Sequence, residues 1–168
     1  MIYKVDRLFG KAGAAIELLS WTLLRMLASA MFMTHGYSKL FGDNPQVFRG
    51  GGMTTVNIAD TIVFAMPWNI NALFVAGVIE LFGGLLILIG LWTHMISFVA
   101  MVLMIMAYAT AHLAWFPTLN NGELAAMYFL VYLALFSLGG GGLSLDALLE
   151  MRRQKKERGK REAHGIPV

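Results

Sequence analysis

Four ionisable side chains fall inside stretches of sequence that are otherwise apolar: Arg25, His35, Glu80 and His112. A charge at the centre of a bilayer costs roughly 2.5–3.5 kcal/mol on insertion scales. Groups of this kind must therefore face one another, a hydrated pocket or a ligand. Glu80, His35 and His112 form a candidate proton relay, because carboxylate and imidazole can both exchange protons near neutral pH. Arg25, Lys39, Gly84, Asn121 and Glu123 join those three as candidate ligand-binding positions. Gly77, Glu80 and Gly84 follow i, i+3, i+7 spacing and share a helical face. Small residues there allow close helix approach, so the carboxylate points into a bundle, with Arg25 as the expected counter-charge. A purely structural Arg25–Glu80 pair is the competing reading. His35 and Lys39 stand at i, i+4, and Lys39 by itself reads as a side chain snorkelling to the interface. Two histidines on separate helices can also be neutral imidazoles satisfied by neighbouring helices, and their spacing does not demand a metal or haem.

The elements that must position these groups are membrane spans. Of the 168 residues, 58% are hydrophobic and only 14% are charged, against about 25% charged in ordinary soluble domains. Four apolar stretches of roughly 20 residues, each sufficient for a hydrocarbon core of about 30 Å, run from about Leu18 to Phe41, Asn71 to Leu91, Met95 to Phe116 and Leu124 to Leu143. The fourth is weakest, because it ends in Gly139-Gly140-Gly141-Gly142. The expected fold is all-α, a polytopic four-helix membrane bundle. Residues 1–17 form an amphipathic N-terminal segment, 18–143 the membrane domain and 144–168 a basic tail. In the connection from Gly42 to Trp68, Val56, Ala59, Ile62, Val63 and Met66 have helical spacing and predict a short amphipathic outer-loop helix. Ser144 is positioned to cap the tail helix, with Asp146 in its first turn. Lys4, Arg7 and Lys11 followed by Ala28-Ser29-Ala30 imitate a signal peptide, but Arg25 interrupts the apolar region, so the segment is read as a retained span.

Charge distribution gives the orientation. Seven of the 13 basic residues lie between Arg152 and Arg161, and the loop from Pro117 to Glu123 has none. The positive-inside rule then places both termini in the cytoplasm and the Gly42–Trp68 connection outside. The basic run is expected on the anionic cytoplasmic leaflet and, lacking a recognition fold, not on nucleic acid. Trp21, Trp68, Trp92 and Trp115 near the span ends suit an aromatic belt. The twelve methionines are scattered as gap fillers. The absence of cysteine excludes thiol–disulfide exchange, thiolate metal sites and cysteine-ligated iron–sulfur clusters.

Several motifs together resemble the DoxX family of small four-span bacterial membrane proteins. They are Arg25, His35-Gly36-Tyr37-Ser38-Lys39-Leu40, Glu80-Leu81-Phe82-Gly83-Gly84, Gly90-Leu91-Trp92-Thr93, His112, Asn121-Gly122-Glu123 and Leu143-Ser144-Leu145-Asp146. The resemblance covers residues 20–146. Two departures lie at the cytoplasmic edge: His94 stands where the family often has Arg, and four glycines replace the more usual Gly-Pro-Gly. The resemblance implies a bacterial inner-membrane protein, in a family that includes a subunit of an archaeal thiosulfate:quinone oxidoreductase. The expected function is a membrane subunit or accessory of a redox system that binds a quinone-like lipid-soluble carrier, with no redox centre of its own. Its expected partners are the lipid bilayer, a redox protein that supplies electrons and further copies of the chain. A non-catalytic scaffold for a partner enzyme is the alternative. A small-solute or proton carrier is less favoured, since neither an inverted repeat nor a broken helix is evident.

Overall fold

The computed structural model describes residues 2–58 and 62–163. The helices in chain order are α1 (Ile2–Ala15), α2 (Glu17–Phe41), α3 (Ala72–Ile89), α4 (Thr93–Ala111), α5 (Glu123–Leu138) and α6 (Leu145–Ala163). Among the described residues the fold is all-α apart from one small antiparallel hairpin, β1 (Thr55–Ile58) and β2 (Ile62–Ala65). α3 and α4 are each long and apolar enough to cross a membrane. α1 and α2 meet the same measure as a pair bent by 61°. That bend fits an interfacial helix leading into a span. α5 is apolar but has 16 residues, which rise only about 24 Å. It ends early because Gly139 takes φ 73° and the glycines that follow turn away from the helix axis.

α2 packs along the length of α3, and α4 packs most extensively on α5. The two pairs meet in a core of Phe32, Ile87, Ala100, Met104, Tyr128, Tyr132 and Leu135. Meanwhile leucines, phenylalanines and methionines along the outer faces of every span are exposed, as lipid contact requires. Close approach of α2 and α3 depends on glycine. A Cβ at Gly36 would collide with the backbone of α3 around Gly77 and Glu80, and one at Gly84 would lie 2.7 Å from Met33 Cγ.

The outer connection departs from the expected helix. Residues 55–58 and 62–65 pair as strands, in register Thr55↔Ala65 through Ile58↔Ile62. The spacing of apolar residues here fits period 3.6 and, once a turn intervenes, also fits period 2. The β-branched content of Thr54, Thr55, Val56, Ile58, Ile62 and Val63 decides for strand, with Val56 buried against the bundle. Asn71, fully buried, anchors the loop. Its Oδ1 accepts from Met53 N at 3.1 Å and Leu73 N at 3.0 Å, and its Nδ2 donates to Gln46 Oε1 at 3.0 Å. It therefore caps α3 and holds the hairpin with one side chain.

Candidate functional site

At its C-terminal end, called the inner end after the orientation expected from the charges, α3 closes in a Schellman turn: Gly90 takes φ 71°, Leu91 N donates to Leu86 O at 2.9 Å and Gly90 N to Ile87 O at 3.0 Å. The last carbonyls of the helix still need donors, and Arg25 supplies them. Its Nη1 donates to Ile87 O at 2.8 Å and also to Leu88 O, while Nη2 reaches Leu143 O at 2.7 Å. Arg25 is 2% exposed. It is thus not the counter-charge of Glu80 that the sequence suggested. A planar guanidinium can satisfy several carbonyls at once, and the C-terminal end of the α3 dipole attracts it.

The same corner holds α6. Ser144 Oγ accepts from Ala147 N at 3.2 Å, the expected cap. The Asp146 carboxylate accepts from Trp92 N, Thr93 N and Thr93 Oγ1, each at 2.9 Å. Burial pushes the Asp146 carboxyl up, but those three hydrogen bonds and the nearby His94 together hold it below the usual carboxylate range. Trp21 Nε1 donates to Gly139 O at 3.0 Å, and His94 Nδ1 bonds Phe136 O at 2.6 Å. His94 is exposed, yet it ties α4 to α5.

In the outer half, a wide π-helical turn spans Ile79–Gly83 in α3 and carries Glu80. Such turns often mark functional positions. Glu80 is 5% exposed, and Lys39 Nζ meets its Oε2 at 2.5 Å. Lys39 is therefore the partner of Glu80 and not merely a snorkelling residue. A buried carboxylate requires such a partner if it is to stay ionised.

Beside the pair lies a cavity of about 290 Å³, which Lys39 and Glu80 line together with His35, His112, Asn121 and Tyr128. Phe32 and Met104 form part of its apolar wall. The His35 ring stands edge-on to Tyr128, 6.1 Å between centroids. The Tyr128 hydroxyl is buried and has no hydrogen-bond partner, and the same is true of Tyr132 one turn deeper. A buried unpaired hydroxyl costs about 1–3 kcal/mol, and of the two tyrosines it is Tyr128 whose side chain lines the cavity. His112 Nδ1 lies 3.0 Å from Asn120 O. A carbonyl only accepts, so in this contact Nδ1 is the donor.

The structure thus brings five of the proposed residues to one chamber: Glu80, Lys39, His35, His112 and Asn121. Arg25 lies at the inner corner. Gly84 is taken up by helix contact. Glu123 is exposed in the first turn of α5, where the dipole favours its charge. Tyr128 and Tyr132, absent from the sequence-based candidates, are the addition. Their i, i+4 spacing in an otherwise apolar span was the available signal. Among the described residues no group of three or more His, Asp or Glu is placed to hold a metal.

Comparison with known proteins places the chain in a family. A Haemophilus influenzae protein described only as an uncharacterized protein is 35% identical over 128 residues, covering 73% of this chain and 85% of the relative. No solved structure matches. The family model described as DoxX matches residues 20–113, taking in Arg25, the Lys39–Glu80 pair, both cavity histidines and the Gly90–Thr93 turn. The chain belongs to the DoxX family of membrane proteins.

Proposed function

We propose that the chain is a membrane subunit or accessory of a redox system and that its outer cavity binds a quinone-like, lipid-soluble carrier. The observation that carries this reading is the hydrogen-bonded Lys39–Glu80 couple at a cavity that is also lined by Tyr128, whose hydroxyl has no partner, and by an apolar wall. A carrier with carbonyl oxygens needs donors, and Lys39, His35 and Tyr128 provide them. Phe32 and Met104 suit the face of a ring. Reduction of a quinone to its quinol takes up two electrons and two protons. Glu80 and His35 are placed to deliver protons, while the electrons come from a partner protein or its substrate. With no cysteine in the chain, no iron–sulfur cluster can be ligated by this chain's thiolates. The basic α6 and the basic N-terminal segment favour cytoplasmic termini, which in a bacterium places the cavity toward the periplasmic side of the inner membrane.

The test is Glu80→Gln, with quinol-linked turnover measured in membranes carrying the full chain. A positioned proton donor is worth about 10²–10⁴ in rate, so turnover falls at least tenfold. Unchanged turnover removes Glu80 from the mechanism and favours the scaffold reading instead.

A further inference from the structure

A second cavity, of about 300 Å³, borders the Lys39–Glu80 pair from the other side. It lies between the outer halves of α3 and α4 and is roofed by the hairpin. Val56 and Met66 line it from the hairpin side, Ala76 from α3, and Leu103 and Met106 from α4. It shares Lys39, Glu80, Ala107 and His112 with the first cavity. Of its other lining residues only Thr110 is polar, and that hydroxyl is committed to Met106 O at 2.8 Å and Ala107 O at 3.3 Å. Aside from the shared groups, this chamber therefore offers nothing to a polar ligand. Its methionines suit a flexible apolar occupant, because thioether side chains adapt to irregular shapes. Each chamber alone sits at the bottom of the range of about 300–1,000 Å³ typical of ligand sites, and joined past the ion pair they fall within it.

We propose that the hairpin chamber holds the apolar chain of the ligand whose polar head occupies the first chamber. The ligand class is then an amphiphile with a carbonyl-bearing head and a prenyl or alkyl tail, threaded past Lys39 and Glu80 beneath the hairpin. This rests on the quinone-type reading above and specifies it. The hairpin, held down by Val56 and by the Asn71 anchor, acts as the roof over the tail.

The experiment uses the purified full chain in nanodiscs and two probes, a decyl-substituted benzoquinone and its tail-less methyl analogue. Ala76→Phe fills the chamber from α3, and Met66→Trp fills it from the hairpin side. Each buried methylene is worth about fourfold in affinity, so displacing two or three weakens the decyl probe at least tenfold. The tail-less probe stays within twofold of wild type. Partition of the decyl chain into lipid is the same for every variant and cancels in the ratio. Two variants on opposite walls guard against one that fails to fold. Equal weakening of both probes, or no change for the decyl probe in either variant, overturns the tail assignment and leaves the head-group reading intact. Wild type that binds neither quinone overturns both.

Discussion

Two cations on one helix, the buried Arg25 and the partly buried Lys39, have opposite fates. Arg25 spends its Nη atoms on three main-chain carbonyls at the inner end. Lys39 meets one titratable carboxylate at the outer end, beside a cavity. Around Arg25 the polar groups are mostly consumed, its own buried Nε apart: Asp146, Thr93, Ser144, Trp21 and His94 all have partners. Around Lys39, Tyr128 is left unpartnered. Burial of charge in a membrane bundle therefore serves two ends. Where the partners are fixed carbonyls that cannot titrate, the charge closes helix ends. Where the partner can gain or lose a proton and open space lies beside it, the charge is available to a ligand.

The largest effect expected from breaking this contrast is at Arg25. Arg25→Leu strands the α3 carbonyls and the Leu143 carbonyl, and removal of one member of a buried charged network typically costs about 3–5 kcal/mol. The measurement is thermal or denaturant stability of the full chain in detergent. Arg25→Lys recovers little of it, because an ammonium lacks the fork. A stability loss below about 1 kcal/mol would mean that the inner corner is not the clamp described here.

Glu80→Gln sits at the opposite pole. Lys39, at 29% side-chain exposure, can swing toward the interface, so stability falls by only about 1 kcal/mol while quinol-linked turnover falls at least tenfold. The reverse pattern, a large stability loss with turnover unchanged, would erase the distinction between the two regions.

The Asp146 carboxyl, held below its unfolded value, adds stability above the unfolded pKa of about 3.9. That contribution is lost as pH falls through the folded value. An acid titration of stability in wild type and Asp146→Asn checks this. Wild type loses part of its advantage below about pH 4, and the variant starts lower and shows a shallower acid limb. Parallel acid limbs would show that Asp146 is not held by the α4 N-terminus.

The smallest effects sharpen the comparison within α5. Tyr132→Phe removes a hydroxyl with no partner and is neutral or stabilising by up to about 1 kcal/mol, with quinone affinity unchanged. Tyr128→Phe is equally mild for stability but weakens quinone binding about three- to tenfold. Quinone titrations of both variants separate the residue at the cavity from its neighbour one turn below.

Much of the architecture was legible in the chain. The apolar stretches, Arg25 as a buried cation, the Ser144 cap and the weak fourth span all followed from residue types and the cost of exposing them to lipid. The helix predicted over the outer connection did not, because its apolar spacing was degenerate between periods and only the pairing of β1 with β2 resolved it. The counter-charge of Glu80 was misassigned for a related reason. Spacing along one helix fixes a face and a depth. Which residue of another helix arrives there depends on how the helices dock, and docking brings the outer end of α2 to the π-helical turn.

Residue types alone dictate a membrane bundle carrying sheltered charge, since hydrocarbon tolerates neither unpaired ions nor open backbone. Tertiary packing alone decided that Arg25 closes helix ends, that Lys39 pairs with Glu80, and that two chambers meet at that pair. Those outcomes depend on contacts between residues 41 to 118 positions apart in the chain, and no local pattern encodes such distances.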